Sequence, residues 1–186
     1  MTRGLEDAEA SIVLGVAVAV PPPHSSILST WRKRVGDPAA ELVWPHVTLL
    51  PPTPVPMSRL DEVVDHLAAV AAARPPFAMH LSGTGTFRPT SPVVFVQVAR
   101  GVADCEELEA LIRSGPLDRP LDFPYHPHVT VAHHVDDDAL DDAYDGLSEF
   151  VARFPVHSIQ LFCREPDGRW RQHTEFLLSG GGNPEV

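Results

Sequence analysis

The hexapeptide Pro-His-Val-Thr-Leu-Leu at residues 45–50 has a near copy, Pro-His-Val-Thr-Val-Ala, at residues 127–132. One copy lies in each half of the chain, and both read as apolar strands that begin beside a proline. Strand-like and helix-like segments follow one another in similar order around the two copies. The repeat therefore predicts a duplicated unit in which the two His-Val-Thr tripeptides face each other across a pseudo-twofold axis.

Side chains alternate along a strand, and this alternation puts the chemistry of each tripeptide on one face. His46 shares a face with Thr48, because residues i and i+2 point the same way. His128 shares a face with Thr130 for the same reason. One imidazole could take a proton from a nucleophile while the other protonates a leaving oxygen, and the hydroxyls could donate to a phosphodiester. The pattern predicts two catalytic histidines and two phosphate-binding threonines, with no metal ion.

Composition limits the class of protein. The 186 residues fit one domain or two fused lobes, and 44% hydrophobic residues fit a globular chain. The net charge of −11 argues against binding along a long nucleic acid, but it allows a small phosphate ester to bind in a local basic pocket. The apolar run Ile12–Val20 is too short to span a membrane. We expect a cytoplasmic protein with Cys105 and Cys163 as free thiols.

Local patterns predict a single domain at residues 11–178, with a flexible N-terminus at 1–10 and a flexible tail at 179–186. The predicted strands are 12–20, 44–50, 77–81, 93–99, 128–132, 156–163 and 170–178. The predicted helices are 27–35, 58–74, a segment from Asp104 to before Gly115, and 136–150. In the helix 58–74 one apolar face is formed by Val63, Leu67, Val70 and Ala71.

The paired Pro-His-Val-Thr segments resemble the signature of the 2H phosphoesterase superfamily, and within it the 2′-5′ RNA ligase-like cyclic phosphodiesterases. The similarity covers roughly residues 12–178 in element order. The segment Gly-Thr-Gly-Thr-Phe at 83–87, before the strand at 93–99, also resembles the family, as does the closing hairpin around Arg164 and Trp170. After the second motif, where many relatives carry an arginine, this chain has His133-His134.

The resemblance implies an α+β, bilobal fold with two pseudo-symmetric lobes, each an antiparallel sheet with outer helices, and a cleft between them. It implies a phosphodiesterase that needs no cofactor and acts on 2′,3′-cyclic or 2′-5′-linked nucleotides or RNA ends. By position, His46 would protonate the leaving oxygen, His128 would activate water, and Thr48 and Thr130 would hold the phosphate. The two histidine roles could be exchanged. We expect a monomer whose partner is a small nucleotide or an RNA terminus.

Further residues could contact the base or the phosphate. The candidates for stacking a base are Trp44, Phe87, Tyr125 and Trp170, each of which could instead pack in the core or between the lobes. The candidates for pairing with a phosphate are Arg88 and Arg164, each of which could instead form a surface ion pair. Strand parity also points His126 into the cleft if the strand begins early; otherwise it is a loop histidine.

Two other functions stay open at the level of sequence. His126, His128 and the pair His133-His134 could form a zinc site or a histidine-triad hydrolase, although position 130 is threonine and neither alternative explains the copy at His46. The chain could also be a non-catalytic nucleotide-binding module on the same fold. Turnover that survives a chelator would argue against the zinc enzyme, and turnover of any phosphodiester would argue against the binding module.

Overall fold

The computed structural model describes residues 10–181. The first nine residues of the predicted flexible N-terminus at 1–10 and the last five residues of the predicted tail therefore lie outside the described chain. The helices are α1 His24–Arg34, α2 Leu60–Ala72, α3 Val102–Ile112 and α4 Asp137–Gly146. The strands are β1 Ser11–Ala19, β2 His46–Pro56, β3 Phe77–Thr86, β4 Val93–Arg100, β5 His128–His133, β6 Val151–Val156, β7 Ser158–Arg164 and β8 Trp170–Leu177.

Two four-stranded sheets form the framework of two lobes. The first sheet has the order β2-β1-β7-β8 and the second β5-β4-β3-β6, and all neighbouring strands are antiparallel. The first and last strand pairs of the chain therefore build one lobe, and the four strands between them build the other. The predicted α+β bilobal fold is confirmed.

Two of the four helices in the described chain pack across from one lobe to the other and join them. Helix α1 packs against β5 of the second sheet, and α3 packs against β2 of the first. The valines of the two tripeptides, Val47 and Val129, are fully buried on these helix-covered faces, as strand parity predicts. The predicted face of α2 is also buried, so one continuous apolar core runs through both lobes.

Some boundaries differ from the sequence expectations. Strand β2 continues through Pro51 and Pro52 to Pro56, because it is an edge strand on which a residue without an N–H can be tolerated. Helix α4 ends at Gly146 rather than Phe150, and the chain then forms β6, an edge strand with alternating burial that the sequence patterns did not predict. Strand β3 extends to Thr86, well into the predicted loop.

The packed chain continues two residues into the predicted C-terminal tail. The backbone N–H groups of Ser179 and Gly180 donate hydrogen bonds to the carbonyls of Ala71 and Arg74 at the end of α2. Gly180 lies so close to this turn that a Cβ atom would be 2.3 Å from the backbone of Ala73. The last described residues therefore dock against the first lobe.

Both tripeptide strands carry a β-bulge at the same place. In the first sheet Ala17 pairs with Thr48 and Val16 with Leu50, which leaves Leu49 as the extra residue. In the second sheet Thr130 and Ala132 pair with consecutive residues of β4, which leaves Val131 as the extra residue. The two copies of the repeat therefore share backbone geometry as well as sequence. After each threonine, the extra residue changes which side chains of the strand point to the cleft.

Candidate active site

The two edge strands β2 and β5 meet where the lobes face each other, and this contact brings the two tripeptides to one cavity. The cavity has a volume of about 180 Å³. The side chains predicted from the sequence and found in its wall are His46, Thr48, His128 and Thr130. Three further polar residues complete the wall, Arg32, Asp37 and His133. Three imidazoles, two hydroxyls, a guanidinium and a carboxylate therefore line one small space.

Each catalytic candidate histidine is held by the same local hydrogen bond. Nδ1 of His46 lies 2.7 Å from the carbonyl oxygen of Trp44, and Nδ1 of His128 lies 2.7 Å from that of His126. A carbonyl oxygen only accepts, so Nδ1 carries the hydrogen in both rings. The neutral imidazoles therefore keep an unprotonated Nε2, the nitrogen available to exchange protons with a ligand.

The surroundings of the two rings favour their neutral forms. Burial lowers the pKa of His46 from its ordinary value of 6.5, and the positive charge of Arg32 and the neighbouring His128 lower it further. Burial also lowers the pKa of His128, with a smaller effect of the same sign from His126. The hydrogen bonds to the two carbonyls act in the opposite direction but are the weaker influence.

An arginine that no sequence pattern singled out supplies the positive charge of the cavity. Arg32, only 4% exposed, donates through Nε to Asp37 at 2.9 Å and through Nη1 to the carbonyl of Val43 at 2.9 Å. Asp37 is held in turn by the N–H of Ala39 at 2.8 Å. Within residues 10–181 the Nη2 group has no protein partner, so a fixed guanidinium offers a free donor to an anion.

His133 is a third imidazole in the cavity wall, and the bulge places it there. Regular alternation from Thr130 would point residue 133 away from the cleft, but the extra residue Val131 reverses the parity. Its ring stacks on that of His134 at 3.6 Å. Burial and the neighbouring His134 lower the pKa of His133. The amino-acid pattern gives no signal for this placement, because it does not reveal the bulge.

Three of the secondary candidates lie beside the catalytic candidates. The ring of His126 stacks on that of His128 with a centroid distance of 6.1 Å, and the ring of Phe87 meets His128 edge-on at 5.0 Å. Tyr125 instead crosses to the first lobe, where its hydroxyl donates to the carbonyl of Thr48 at 2.9 Å. Burial strongly raises the pKa of Tyr125, so its hydroxyl stays protonated and serves as a fixed donor.

The two arginines proposed for phosphate lie elsewhere. Arg88 donates to Asp141 of α4 at 2.7 Å, with Asp137 at 3.9 Å, so it forms the surface ion pair that was its alternative. Arg164 is exposed at the end of β7 and does not line the cavity. The buried Arg32 occupies the position that the sequence had suggested for these two residues.

An apolar pocket of about 200 Å³ opens beside His46 and Thr48 on the first lobe. Its aromatic walls are Trp44, Phe162 and Trp170, and its floor includes Gly15 and Ala17 of β1. A Cβ atom on Gly15 would lie 3.2 Å from the ring of Trp170, so the close ring approach depends on this glycine.

The corresponding place on the second lobe is filled. Ala17 lies opposite Thr48 in the first sheet, and Phe95 lies opposite Thr130 in the second. The ring of Phe95 covers Gly85, where a Cβ atom would clash at 2.6 Å, and it packs on Phe87 at 4.5 Å. The cleft is therefore open to an aromatic ligand group on the side of His46 and closed on the side of His128.

The histidines of the zinc alternative are spread along β5. Across residues 10–181, no three His, Cys, Asp or Glu side chains are grouped so that they could hold a metal ion. Histidines 126 and 128 lie at the start of β5 and the pair 133–134 lies at its end, so they do not converge as a ligand set. In the same range, no helix is long and apolar enough to cross a membrane.

Comparison with known proteins agrees with the geometry. A Bacillus cereus protein (strain ATCC 10987 / NRS 248), named provisionally as a phosphoesterase, is 29% identical over 154 residues, which cover 82% of this chain and 88% of the relative. A Bacillus thuringiensis protein (strain Al Hakam) with the same provisional name is 28% identical over the same coverage.

Solved structures share the fold. The crystal structure of Escherichia coli LigT complexed with 3′-AMP matches with a TM-score of 0.65 and 19% identity, covering 91% of this chain and 99% of that one. A Thermus thermophilus protein matches with a TM-score of 0.64 and 24% identity over 91% and 100% of the two chains. The family profile itself matches residues 20–168, which include both tripeptides. The chain therefore belongs to the 2′-5′ RNA ligase superfamily, as the resemblance in its sequence indicated.

Proposed function

We propose that this chain is a metal-independent phosphodiesterase that acts on 2′,3′-cyclic or 2′-5′-linked phosphates of small nucleotides or RNA ends. Membership of the family supports a phosphoesterase-type function. The observation that carries the proposal is the matched pair of imidazoles. Both are anchored through Nδ1 to the carbonyl two residues earlier, and both line the same cavity with a threonine hydroxyl beside them.

The cavity suits a phosphodiester that lies between the two lobes. Thr48 and Thr130 could donate from either side to its non-bridging oxygens, and Arg32 could donate from Nη2. Charge on these oxygens is balanced by a guanidinium that Asp37 and the carbonyl of Val43 already hold in place. Such prearranged donors favour the transition state because they need no reorientation when charge develops.

The asymmetry of the cleft supports one assignment of the two histidine roles. The organic group of the substrate would enter the aromatic pocket beside His46, so the leaving oxygen attached to it would lie on that side. His128 Nε2 would take a proton from water, the water oxygen would attack phosphorus, and the bond from phosphorus to the leaving oxygen would break. His46, protonated on Nε2, would give its proton to that oxygen. The products are a phosphate monoester and a free hydroxyl.

The catalytic proton must be acquired when substrate binds. Both rings favour the neutral form in the free protein, which suits His128 as a base but not His46 as an acid. An anionic phosphate beside His46 raises its pKa, because an opposite charge stabilises the imidazolium. We infer that substrate binding itself prepares the acid.

The deciding experiment measures turnover of 2′,3′-cyclic nucleotides and 2′-5′-linked dinucleotides in excess EDTA. The wild type is compared with His46→Ala/His128→Ala and with His173→Ala, which removes an exposed histidine of β8. Turnover by the wild type and His173→Ala, but not by the double variant, is the expected result. Activity that EDTA abolishes and zinc restores would replace the proposal with a metal hydrolase.

Ligand binding by the wild type without turnover of any phosphodiester would instead indicate a nucleotide-binding module. Calorimetric titration with the same nucleotides detects this outcome directly. The double variant should still bind, because the threonines and Arg32 remain, so binding and catalysis can be separated.

A cysteine nucleophile is not part of the proposed chemistry. Cys105 is fully buried, and burial raises the pKa of its thiol to about 12, so almost no thiolate forms at neutral pH. Cys163 is also a buried free thiol. We propose that the protein acts as a monomer in the cytoplasm, where such thiols stay reduced.

A further inference from the structure

A row of basic side chains crosses the second sheet away from the active site. Arg100 of β4 pairs in register with His80 of β3, and His80 pairs on its other side with Arg153 of β6. Directly opposed residues of neighbouring strands lie on one face of a sheet. We call Arg100, His80 and Arg153 the basic row.

The basic row lies on the same face of the sheet as the catalytic candidates. On β4, Val94, Val96 and Val98 are buried towards the helices, whereas Phe95 packs on His128 from the opposite face. The strand has an extra residue between Val98 and Arg100, which turns Arg100 to the face of Phe95. Gln97, opposite His128, precedes Arg100 by three residues, so the row begins about 10 Å along the strand from the catalytic centre.

The arginines of the row have no acidic partner. The chain has a net charge of −11, and seven of the arginines within residues 10–181 pair with carboxylates. Within the described residues, neither Arg100 nor Arg153 forms an ion pair or a side-chain hydrogen bond, and both are exposed. The Nε2 atom of His80 is buried and has no hydrogen-bond partner, which is a cost unless a ligand supplies one. The row thus offers two exposed, unpaired guanidinium groups, one on each side of His80.

The shape around the row leaves space for a ligand. The three side chains border an open hollow of about 520 Å³. Its floor includes Ala78 and Pro155, a directly paired couple of small side chains beside His80 and Arg153. The floor itself is mostly apolar, so the features that fit a phosphate group are the two unpaired guanidinium groups at its border.

We infer that the basic row is a second phosphate site, which binds a backbone phosphate of an oligonucleotide whose end occupies the active site. This inference rests on the proposed function and narrows its substrate to short RNA ends rather than lone nucleotides. Two arginines suit one or two phosphates, in keeping with a chain that is too acidic for a long nucleic acid. The row, the cleft and the aromatic pocket together would hold a chain end across both lobes.

The test compares adenosine 2′,3′-cyclic phosphate with a tetranucleotide that ends in the same group. The variants are Arg100→Ala/Arg153→Ala and, as a control of equal charge change, Arg169→Ala/Arg171→Ala in the first-lobe hairpin. We expect the wild type and the control to prefer the tetranucleotide in kcat/KM, and the row variant to lose about tenfold on the tetranucleotide alone. For the row variant, the slope of log affinity for the tetranucleotide against log salt concentration should also become shallower by about 0.7 per lost phosphate contact.

The inference is overturned if the tetranucleotide and the mononucleotide react equally well, or if the row variant keeps the preference. A row that only protects the edge strand β6 from pairing with other chains would give a variant that associates but keeps its kinetics, and this result also refutes the site. If the mononucleotide is not turned over, the proposed function fails instead. Fluorescence anisotropy with a labelled, 3′-phosphorylated tetranucleotide then tests the row without catalysis, and equal affinity of wild type and row variant rejects it.

Discussion

The two histidines are the residues on which the proposed chemistry depends most directly. His46→Ala or His128→Ala should each lower kcat by about 10²–10⁴-fold, the usual contribution of a general acid or base. The melting temperature should change little, because each ring lies at the cavity wall and makes a single hydrogen bond to a nearby carbonyl. Steady-state kinetics and thermal unfolding of both variants measure this. Near-normal kcat in either one would remove that histidine from the mechanism, and His173→Ala controls for the loss of any imidazole.

The titration of the same pair predicts the pH profile. The reactive form has one neutral and one protonated imidazole, and burial lowers both pKa values in the free protein. The optimum of kcat/KM, which reports the free enzyme, should therefore lie below the ordinary histidine pKa of 6.5. The optimum of kcat should lie at higher pH, because bound phosphate raises the pKa of His46. A kcat/KM that still rises above about pH 9 would contradict a pair of histidines.

The ion pair between Arg32 and Asp37 allows a test of whether Arg32 binds the phosphate. Replacing Arg32 alone would leave Asp37 buried and unpaired, at a cost of about 3–5 kcal/mol in the free energy of unfolding. Arg32→Gln/Asp37→Asn removes both charges, so it should fold and yet bind the phosphate less tightly, with KM raised about tenfold. Unfolding in urea and steady-state kinetics on the two variants separate stability from binding. An unchanged KM in the folded double variant would show that Arg32 holds the chain and not the substrate.

The sequence could predict the central residues because they repeat, but it could not predict their neighbours. His46 and His128 follow from the doubled tripeptide and strand parity alone. Arg32 reaches the cavity from a helix that packs on the other lobe, a contact between distant segments that no local pattern encodes. Arg88 and Arg164, predicted because a guanidinium can pair with a phosphate, lie outside the cavity wall, since no local pattern shows which arginine packs beside the histidines.

At the scale of elements, Tyr125 links the segment before β5 to strand β2. Tyr125→Phe removes the hydrogen bond to the Thr48 carbonyl and should lower the free energy of unfolding by about 1 kcal/mol. It should also raise the mobility of Thr48 and lower kcat more than it raises KM, because β2 would be held less firmly against the opposite lobe. Tyr144→Phe, a change in a partly exposed tyrosine of α4, is the matched control. Equal stability of the two variants would mean that Tyr125 acts by packing only.

Element boundaries were predictable where burial alternates and less so where backbone geometry intervenes. The helical spacing of the apolar residues in α2 correctly predicts which face of the helix is buried. The prolines at residues 51–56 suggested the end of a strand, yet β2 continues through them because its outer side has no strand partner. The bulge after Thr130 changed the direction of His133, and strand β6 was hidden because its residues follow a helix without a loop signal.

At the scale of the whole molecule, the internal repeat accounts for the two lobes, and the differences between the lobes shape the proposed site. The repeat predicted two lobes that face each other, and the two sheets confirm it. The sequence did not show that the first sheet takes its last two strands from the C-terminus, since strand partners across the chain depend on packing. Nor did it show that Phe95 closes one side of the cleft while Ala17 and Gly15 leave the other open.

The buried histidines also make the stability of the folded chain sensitive to acid. Burial lowers the pKa values of His46, His128 and His133 relative to the unfolded chain. Between the ordinary and the lowered values the unfolded state binds more protons, so the free energy of unfolding falls as pH decreases below about 6.5. His46→Asn/His128→Asn keeps an N–H donor near each carbonyl but cannot titrate, and it should lose less stability between pH 7.5 and 5.5, values chosen to bracket the ordinary pKa of about 6.5. Urea unfolding at both pH values measures the difference, and His173→Asn serves as the exposed control. If the double variant shows the same loss as the wild type, the sensitivity to acid has another source, and the two cleft imidazoles are not desolvated as their position requires.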